Sequence, residues 1–263
     1  MRNKFEKLVE IMQLLRDPQS GCPWDRQQTF KSIAPYTLEE AYEVVDAIEN
    51  DDMTALLSEL GDLLLQVVYH AQMASEQGLF DVSDVLNAII DKLIRRHPHI
   101  FGESSLESVT AIKAVWEDQK IAERQSLTQD KSVSILGDIT ASLPALTRAL
   151  KIQQRVAHVG FDWENINPIY DKVLEELDEV KHEVEMKANA ENIEEEIGDL
   201  YFSVTNLARH LQVNPELALR KANSKFVLRF SRIEALLAEQ GKTVDKTNAG
   251  ELNALWEQVK TSA

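Results

Sequence analysis

Leu174-Glu175-Glu176-Leu177-Asp178-Glu179-Val180 is followed downstream by Glu196-Ile197-Gly198-Asp199-Leu200, and both stretches have counterparts nearer the N-terminus. These are Leu38-Glu39-Glu40-Ala41-Tyr42-Glu43-Val44 and Glu59-Leu60-Gly61-Asp62-Leu63, at offsets of 136 and 137 residues. Lys92 and Arg96 answer to Lys225 and Arg229 at an offset of 133, and Trp116-Glu117 with Lys120 to Trp256-Glu257 with Lys260 at 140. Four landmarks in one order at drifting offsets mean fixed helices joined by loops of slightly different length. The chain reads as one module written twice.

Working outward, every landmark sits in a helical pattern. Phe5, Leu8, Val9, Met12 and Leu15 recur at helical spacing, and Asp17-Pro18 with Gly21 and Pro23 ends that helix. Residues 22–36 read as a loop, after which Thr37 and Glu40 have the spacing of a capping box. Further helices are predicted over 53–76 and 82–96, the latter halted by His97-Pro98-His99, then through Trp116 and Lys120 after a loop over 102–109. The polar stretch 126–134 lacks periodicity. Beyond it, helices are predicted through Leu146, Ile152 and Val156, from Pro168, over 193–211 and 215–240, and through Leu252 to Val259. No alternating strand pattern of useful length occurs. The expected architecture is all-α, with modules over 1–125 and 136–263 and a linker over 126–135.

The chain has 263 residues, with 28 basic against 44 acidic side chains and a formal net charge of −16. Such a surface disfavours nucleic-acid polymers and anionic membranes as partners. Cys22 is the only cysteine, so no intrachain disulfide can form, and its simplest role is that of a small buried hydrophobe. The N-terminus lacks a signal-peptide apolar stretch, and no run approaches the ~18 apolar residues of a membrane helix. A cytoplasmic location is expected.

On a helix, spacing i, i+1, i+4 turns Glu39, Glu40 and Glu43 toward one side, and Glu175, Glu176 and Glu179 likewise. Glu59 with Asp62, and Glu196 with Asp199, add an i, i+3 step on the next helix. Packed through their apolar faces, two such helices would gather up to five carboxylates, which need protons or cations to coexist. Oxygen-only donors select hard ions, so Mg²⁺ is the expected occupant, with Mn²⁺ as a substitute. A glutamate-rich helix face is usually just solvated. The duplication argues otherwise, as do Gly61 and Gly198, each a mid-helix glycine costing about 1 kcal/mol relative to alanine. Close helix approach or space for a ligand would explain them. Lys225 and Arg229, at i, i+4, have the spacing to grip a phosphate chain, and Trp256 offers a flat face to a base.

Glu-Glu-x-x-Glu on one helix and Glu-x-x-Asp on the next resembles the MazG nucleotide pyrophosphohydrolases. Gly21-Cys22-Pro23-Trp24-Asp25, Thr29-Phe30, Tyr36-Thr37-Leu38-Glu39-Glu40 and Arg95-Arg96-His97-Pro98-His99 are similar to the tandem bacterial members, and the likeness spans nearly the whole chain. The resemblance implies four-helix cores that form a homodimer. It implies Mg²⁺-dependent hydrolysis of ribo- and deoxyribonucleoside triphosphates to monophosphate and pyrophosphate, with broad base specificity and a role in cleaning the nucleotide pool. Carried over by position, Glu175, Glu176, Glu196 and Asp199 would hold metal, and Glu179 would serve metal and nucleotide. Lys172, Lys225, Arg229 and Trp256 would contact nucleotide, with Asp199 and Lys260 alongside. Glu39, Glu40, Glu43, Glu59 and Asp62 would form a second metal site. Leu228 stands where tandem members often carry a second arginine. Glu194 and Glu195 extend the acidic step of the second copy, and Lys172 lies one turn before Glu176, where the first copy has Pro35-Tyr36. The second copy is therefore expected to carry most of the catalysis.

Two rival readings make different demands. A di-iron carboxylate bundle needs a Glu-x-x-His step on each of two helices; Glu179 with His182 provides one, but the first copy has Asp46 in the matching place. A non-enzymatic helical scaffold would use the carboxylates only to bind partners.

Overall fold

The computed structural model describes residues 2–102 and 134–261, with residues 108, 115 and 119, and every regular element among them is helical. Two compact units divide the chain, Met1–Leu127 and Thr128–Ala263. The helix expected through Trp116 and Lys120, and most of the expected linker, lie outside the described residues.

In the first unit, α1 (Arg2–Leu15), a short α2 (Pro23–Gln27), α3 (Phe30–Glu49), α4 (Met53–Glu76), α5 (Val82–Arg96) and a single turn, α6 (Pro98–Phe101), follow one another. α3 and α4 form a tight αα-hairpin. Its turn places Asp51 at φ 53°, and the Asp52 carboxylate accepts the Thr54 and Ala55 N–H groups at 3.0 and 2.9 Å, capping α4. α1 lies against α4, where Met12, Ile33, Val68, Tyr69 and Met73 make the core. The Tyr69 hydroxyl donates to the Asp25 backbone oxygen and Oδ1, each at 3.0 Å, tying the α2 turn to α4.

The start of α3 departs from expectation. Thr29, not Thr37, is the N-cap, in a reciprocal capping box with Ser32. Pro35 lies inside the helix: its fixed φ suits the conformation, and near the N-terminus it removes only one backbone donor. Most of the expected 22–36 loop is thus helical. Thr37 instead hydrogen-bonds His70 Nε2 at 3.1 Å, and Glu40, released from any capping role, keeps its carboxylate for other partners.

The second unit repeats the plan with α7 (Ala145–His158), α8 (Asn167–Glu185), α9 (Ala190–His210), α10 (Pro215–Glu239), a 3₁₀ turn (Val244–Lys246) and α11 (Ala249–Thr261). α8 and α9 form the matching hairpin, with Lys187 at φ 53° and Asn189 capping α9. α7 packs on α9 and α10, and α10 is held to α11 by Ile233, Leu237, Leu255 and Val259. No described helix is long and apolar enough to cross a membrane.

Candidate active site

Each hairpin carries its acidic residues across the pair of helices. In the second unit, carboxylate oxygens of Glu176 on α8 and of Glu196 and Asp199 on α9 lie within 4.8 Å of one another. In the first, the same holds for Glu40 and Glu43 on α3 and Glu59 on α4. Three carboxylates meet in each place, fewer than the five expected. The reason is helical geometry. Glu176 turns inward and is only 4% exposed, so Glu175, about 100° round the helix, is swung aside. Glu39 is displaced from the first cluster in the same way and is exposed.

Crowding shows in the acidities. Burial, then Glu176 and Asp199, hold the Glu196 carboxyl above the usual carboxylate range. Burial and Glu176 do the same to Glu179. Burial followed by Asp62, Glu43, Glu59 and Glu39 raises Glu40, and burial with Glu43 and Asp62 raises Glu59. Asp62 thus belongs electrostatically to the first cluster although it stands outside its tight trio. These oxygen clusters can bind a divalent metal, which relieves repulsion that protonation would otherwise relieve.

The copies differ in their compensating charge. Lys172 Nζ lies 2.9 Å from Glu175 and 2.7 Å from Glu176 in an i, i+3, i+4 clasp, and the two carboxylates push its pKa upward. At the matching position the first copy has Tyr36, whose ring meets Trp24 edge-on at 6.1 Å. Gly61 and Gly198 behave alike: a Cβ built at either meets no atom within 4 Å. Among the described residues no neighbouring element therefore packs on either glycine, and the space beside each is open.

Comparison with known proteins agrees with this geometry. The MazG nucleotide pyrophosphohydrolase domain matches residues 28–101 and 166–232, so each match takes in one acidic hairpin. The chain is 51% identical to the nucleoside triphosphate pyrophosphohydrolase of Escherichia coli K12 over 259 residues, covering 98% of this chain and 97% of that protein. It is 46% identical to the nucleoside triphosphate pyrophosphohydrolase/pyrophosphatase MazG of Thermotoga maritima over 258 residues, 97% and 95% of the respective chains. The chain belongs to the MazG family. Membership makes it an enzyme of the nucleotide pyrophosphohydrolase class, which disposes of the scaffold and di-iron readings.

Within the MazG framework, two of the other residues expected at the nucleotide, Arg229 and Trp256, lie together. Arg229 lies over the Trp256 ring, 6.0 Å from its centroid, and Phe226 packs against the same ring at 5.1 Å. Arg229 Nε is buried without a hydrogen-bond partner among the described residues. Lys225 is exposed, and Lys260 pairs with Glu257 at 3.0 Å. No described hydrogen bond or ion pair joins this group to the Glu176 cluster. The first copy's counterparts of Trp256 and Lys260, at 116 and 120, lie outside the described residues.

The loop before α8 is held by a clamp that nothing in the sequence pattern had singled out. Asp162 accepts both terminal Arg209 nitrogens, one at 2.9 Å, with His210 Nε2 at 3.0 Å and the Trp163 N–H donating at 2.8 Å. The Arg209 hydrogen bonds, then His210, pull the Asp162 carboxyl down to about 2. The clamp pins the loop to α9 beside a cavity of about 460 Å³. Phe161-Asp162-Trp163 was the available signal, an acid flanked by two aromatics just before α8.

Proposed function

We propose that the chain hydrolyses nucleoside triphosphates, ribo- and deoxyribo- alike, to monophosphate and pyrophosphate with Mg²⁺, Mn²⁺ substituting. The second copy carries the reaction. The observation behind this reading is the Glu176–Glu196–Asp199 cluster with Lys172 clasped beside it. A donor set made only of carboxylate oxygens from two rigid helices suits Mg²⁺, and the raised Glu196 carboxyl marks a site that gains from a cation. Glu175, Glu176, Glu179, Glu196 and Asp199 would hold it. Bound there, the ion supplies charge neutralisation at the phosphate oxygens and acidifies water.

The chain's own groups do the rest. Glu179, held above the ordinary carboxylate range, is suited to take a proton from the attacking water. Lys172 can exchange a carboxylate partner for a phosphate oxygen once a cation shares the cluster. Lys225, Arg229, Trp256 and Lys260 make up the further nucleotide-contact set. Glu39, Glu40, Glu43, Glu59 and Asp62 form a second metal site, without a lysine clasp. The modules span 1–125 and 136–263.

A homodimer fits the apolar side chains left uncovered on the repeated helices: Leu57 is 77% exposed and Leu228 74%. A cytoplasmic enzyme that cleans the nucleotide pool, with no membrane or nucleic-acid partner, fits the acidic surface.

Pyrophosphate release from several triphosphates is the test. It should require Mg²⁺, vanish in EDTA and fall to near background in Glu176→Ala while Glu40→Ala stays close to wild type. Full activity in metal-free buffer would refute the metal, and a crippled Glu40→Ala with an active Glu176→Ala would reverse the assignment of the two copies.

A further inference from the structure

A metal ion and a lysine lay claim to the same oxygens in the second copy. Glu176 contributes a carboxylate to the trio with Glu196 and Asp199, and its Oε1 already accepts Lys172 Nζ at 2.7 Å. Glu175, swung aside from the trio, takes a second contact from the same ammonium at 2.9 Å. Glu176 is buried, and among the described ion pairs Lys172 is the only cation on the trio. A buried carboxylate without a counter-charge is costly, so the lysine folds back along α8 instead of extending into water. The clasp is local: the i, i+3 and i, i+4 spacings close it within one helix.

Mg²⁺ takes oxygens at about 2.1 Å in a near-octahedral set. An ammonium bonded to one of those oxygens lowers the negative charge on offer and repels the ion directly. The two cations are therefore competitors for Glu176. Lys172 is partly exposed and carries a flexible four-carbon stem, so once displaced it can turn to a polyanion beside the cluster.

The duplication supplies a contrast. Tyr36 stands four residues before Glu40, as Lys172 stands before Glu176, and its ring packs edge-on against Trp24. Burial first, and then carboxylates alone, raise Glu40 and Glu59. At Glu179 burial and Glu176 raise the acidity constant in the same way, but Lys172 opposes them. One hairpin is furnished with its own cation and the other is not. We infer that Lys172 is a tethered counter-ion that occupies the second copy's metal site until a divalent cation displaces it, and that the displaced ammonium then receives the polyphosphate. The inference rests on the Glu176 cluster being the metal site of a triphosphate pyrophosphohydrolase. Metal and polyphosphate then bind cooperatively, since each takes up a partner that the other sets free.

The probe is Mn²⁺, its free concentration followed by electron paramagnetic resonance in the full chain carrying Glu40→Gln, which silences the first cluster. Lys172→Met, of similar length without the charge, is compared with Lys181→Met, which removes a lysine of the same helix that bonds Asp178 instead. Circular dichroism checks that both variants fold. Without nucleotide, Lys172→Met should bind Mn²⁺ about fivefold more tightly than its parent, the worth of one partly screened ion pair, while Lys181→Met stays within about twofold. At saturating Mg²⁺, calorimetry with α,β-methylene-dATP should move the opposite way, to a Kd about tenfold higher in Lys172→Met. A lysine that only binds phosphate would give the second change without the first, and a clasp that only braces α8 would give neither. Mn²⁺ affinity unchanged or weakened in Lys172→Met, or tightened equally in Lys181→Met, overturns the counter-ion. Unchanged analogue affinity overturns the hand-over to polyphosphate. A parent that binds no Mn²⁺ overturns the metal reading beneath both.

Discussion

Glu176→Gln separates the catalytic worth of the acidic cluster from its structural worth. The side chain is 4% exposed and accepts Lys172 at 2.7 Å, and it appears among the causes that raise both Glu179 and Glu196. Glutamine keeps the shape and removes the charge. The lost ion pair is screened, because Lys172 is 39% exposed and retains Glu175 at 2.9 Å, so it is worth about 1 kcal/mol or less. Relief of repulsion at Glu179 and Glu196 acts in the opposite direction. In EDTA the variant should therefore stay within about 1 kcal/mol of its parent. Mg²⁺ should tell them apart. At a hundred times its Kd, an ion bound only by the folded state adds about 2.7 kcal/mol. At roughly 3 °C per kcal/mol for a unit of this size, that is about 8 °C in melting temperature. The comparison is best made in a Glu40→Gln background, so that the first cluster does not contribute. Without Glu176 the shift should largely disappear, and kcat/KM should fall on the order of 10²–10³, about 3–4 kcal/mol of transition-state stabilisation. A variant that keeps most of the shift and activity within tenfold of the parent would show that Glu176 is not a ligand.

Two further outcomes follow from burial. The exposed Leu57 and Leu228 predict a sedimentation mass near twice the 29.8 kDa of one chain at micromolar concentration, and a mass near 29.8 kDa would contradict the dimer. Burial first, and its hydrogen bond to Asp25, push the Tyr69 hydroxyl up to about 12. Because the folded value exceeds the unfolded one near 10, this contribution to stability is complete below about pH 10 and is lost as pH rises toward 12. Urea unfolding between pH 9 and 11.5 should show that slope in wild type and a flatter one in Tyr69→Phe; identical slopes would count against it.

Most of the helical frame was legible in the sequence. α4 and α5 run where the periodicity and the breaks after Glu76 and Arg96 put them, and the structure adds the caps, Asp52 and Asp81, that fix their starts. The start of α3 was not legible, since Pro35 reads as a stop and Thr37-x-x-Glu40 imitates a capping box, while the real box at Thr29 and Ser32 uses serine in place of glutamate. The Glu176, Glu196 and Asp199 trio follows from spacing, but which carboxylates turn inward depends on how α8 is rolled against α9. That roll excludes Glu175 and Glu39 from the tight clusters. The cavity was invisible because it joins four separate segments, α7, the 160–163 loop, α8 and α9, and nothing local in Gln153, Asn206 or Arg209 marks a wall.

The duplication shows which features are separable. Both copies keep the hairpin, the open glycine and the crowded carboxylates, so none of these distinguishes the copies. They part at two places on different helices. Tyr36 replaces the lysine clasp at position 172, and Tyr69, the counterpart of the cavity-lining Asn206, is packed into the core. The first change removes a cation beside the cluster; the second puts packed core where Asn206 lines a cavity. Tyr69 is fixed there by its bond to Asp25, whose backbone oxygen is in turn held by Arg16 at 2.5 Å. The first copy's interior is thus committed to packing, which favours stability, while the second keeps a cavity that Lys172 shares with its carboxylates.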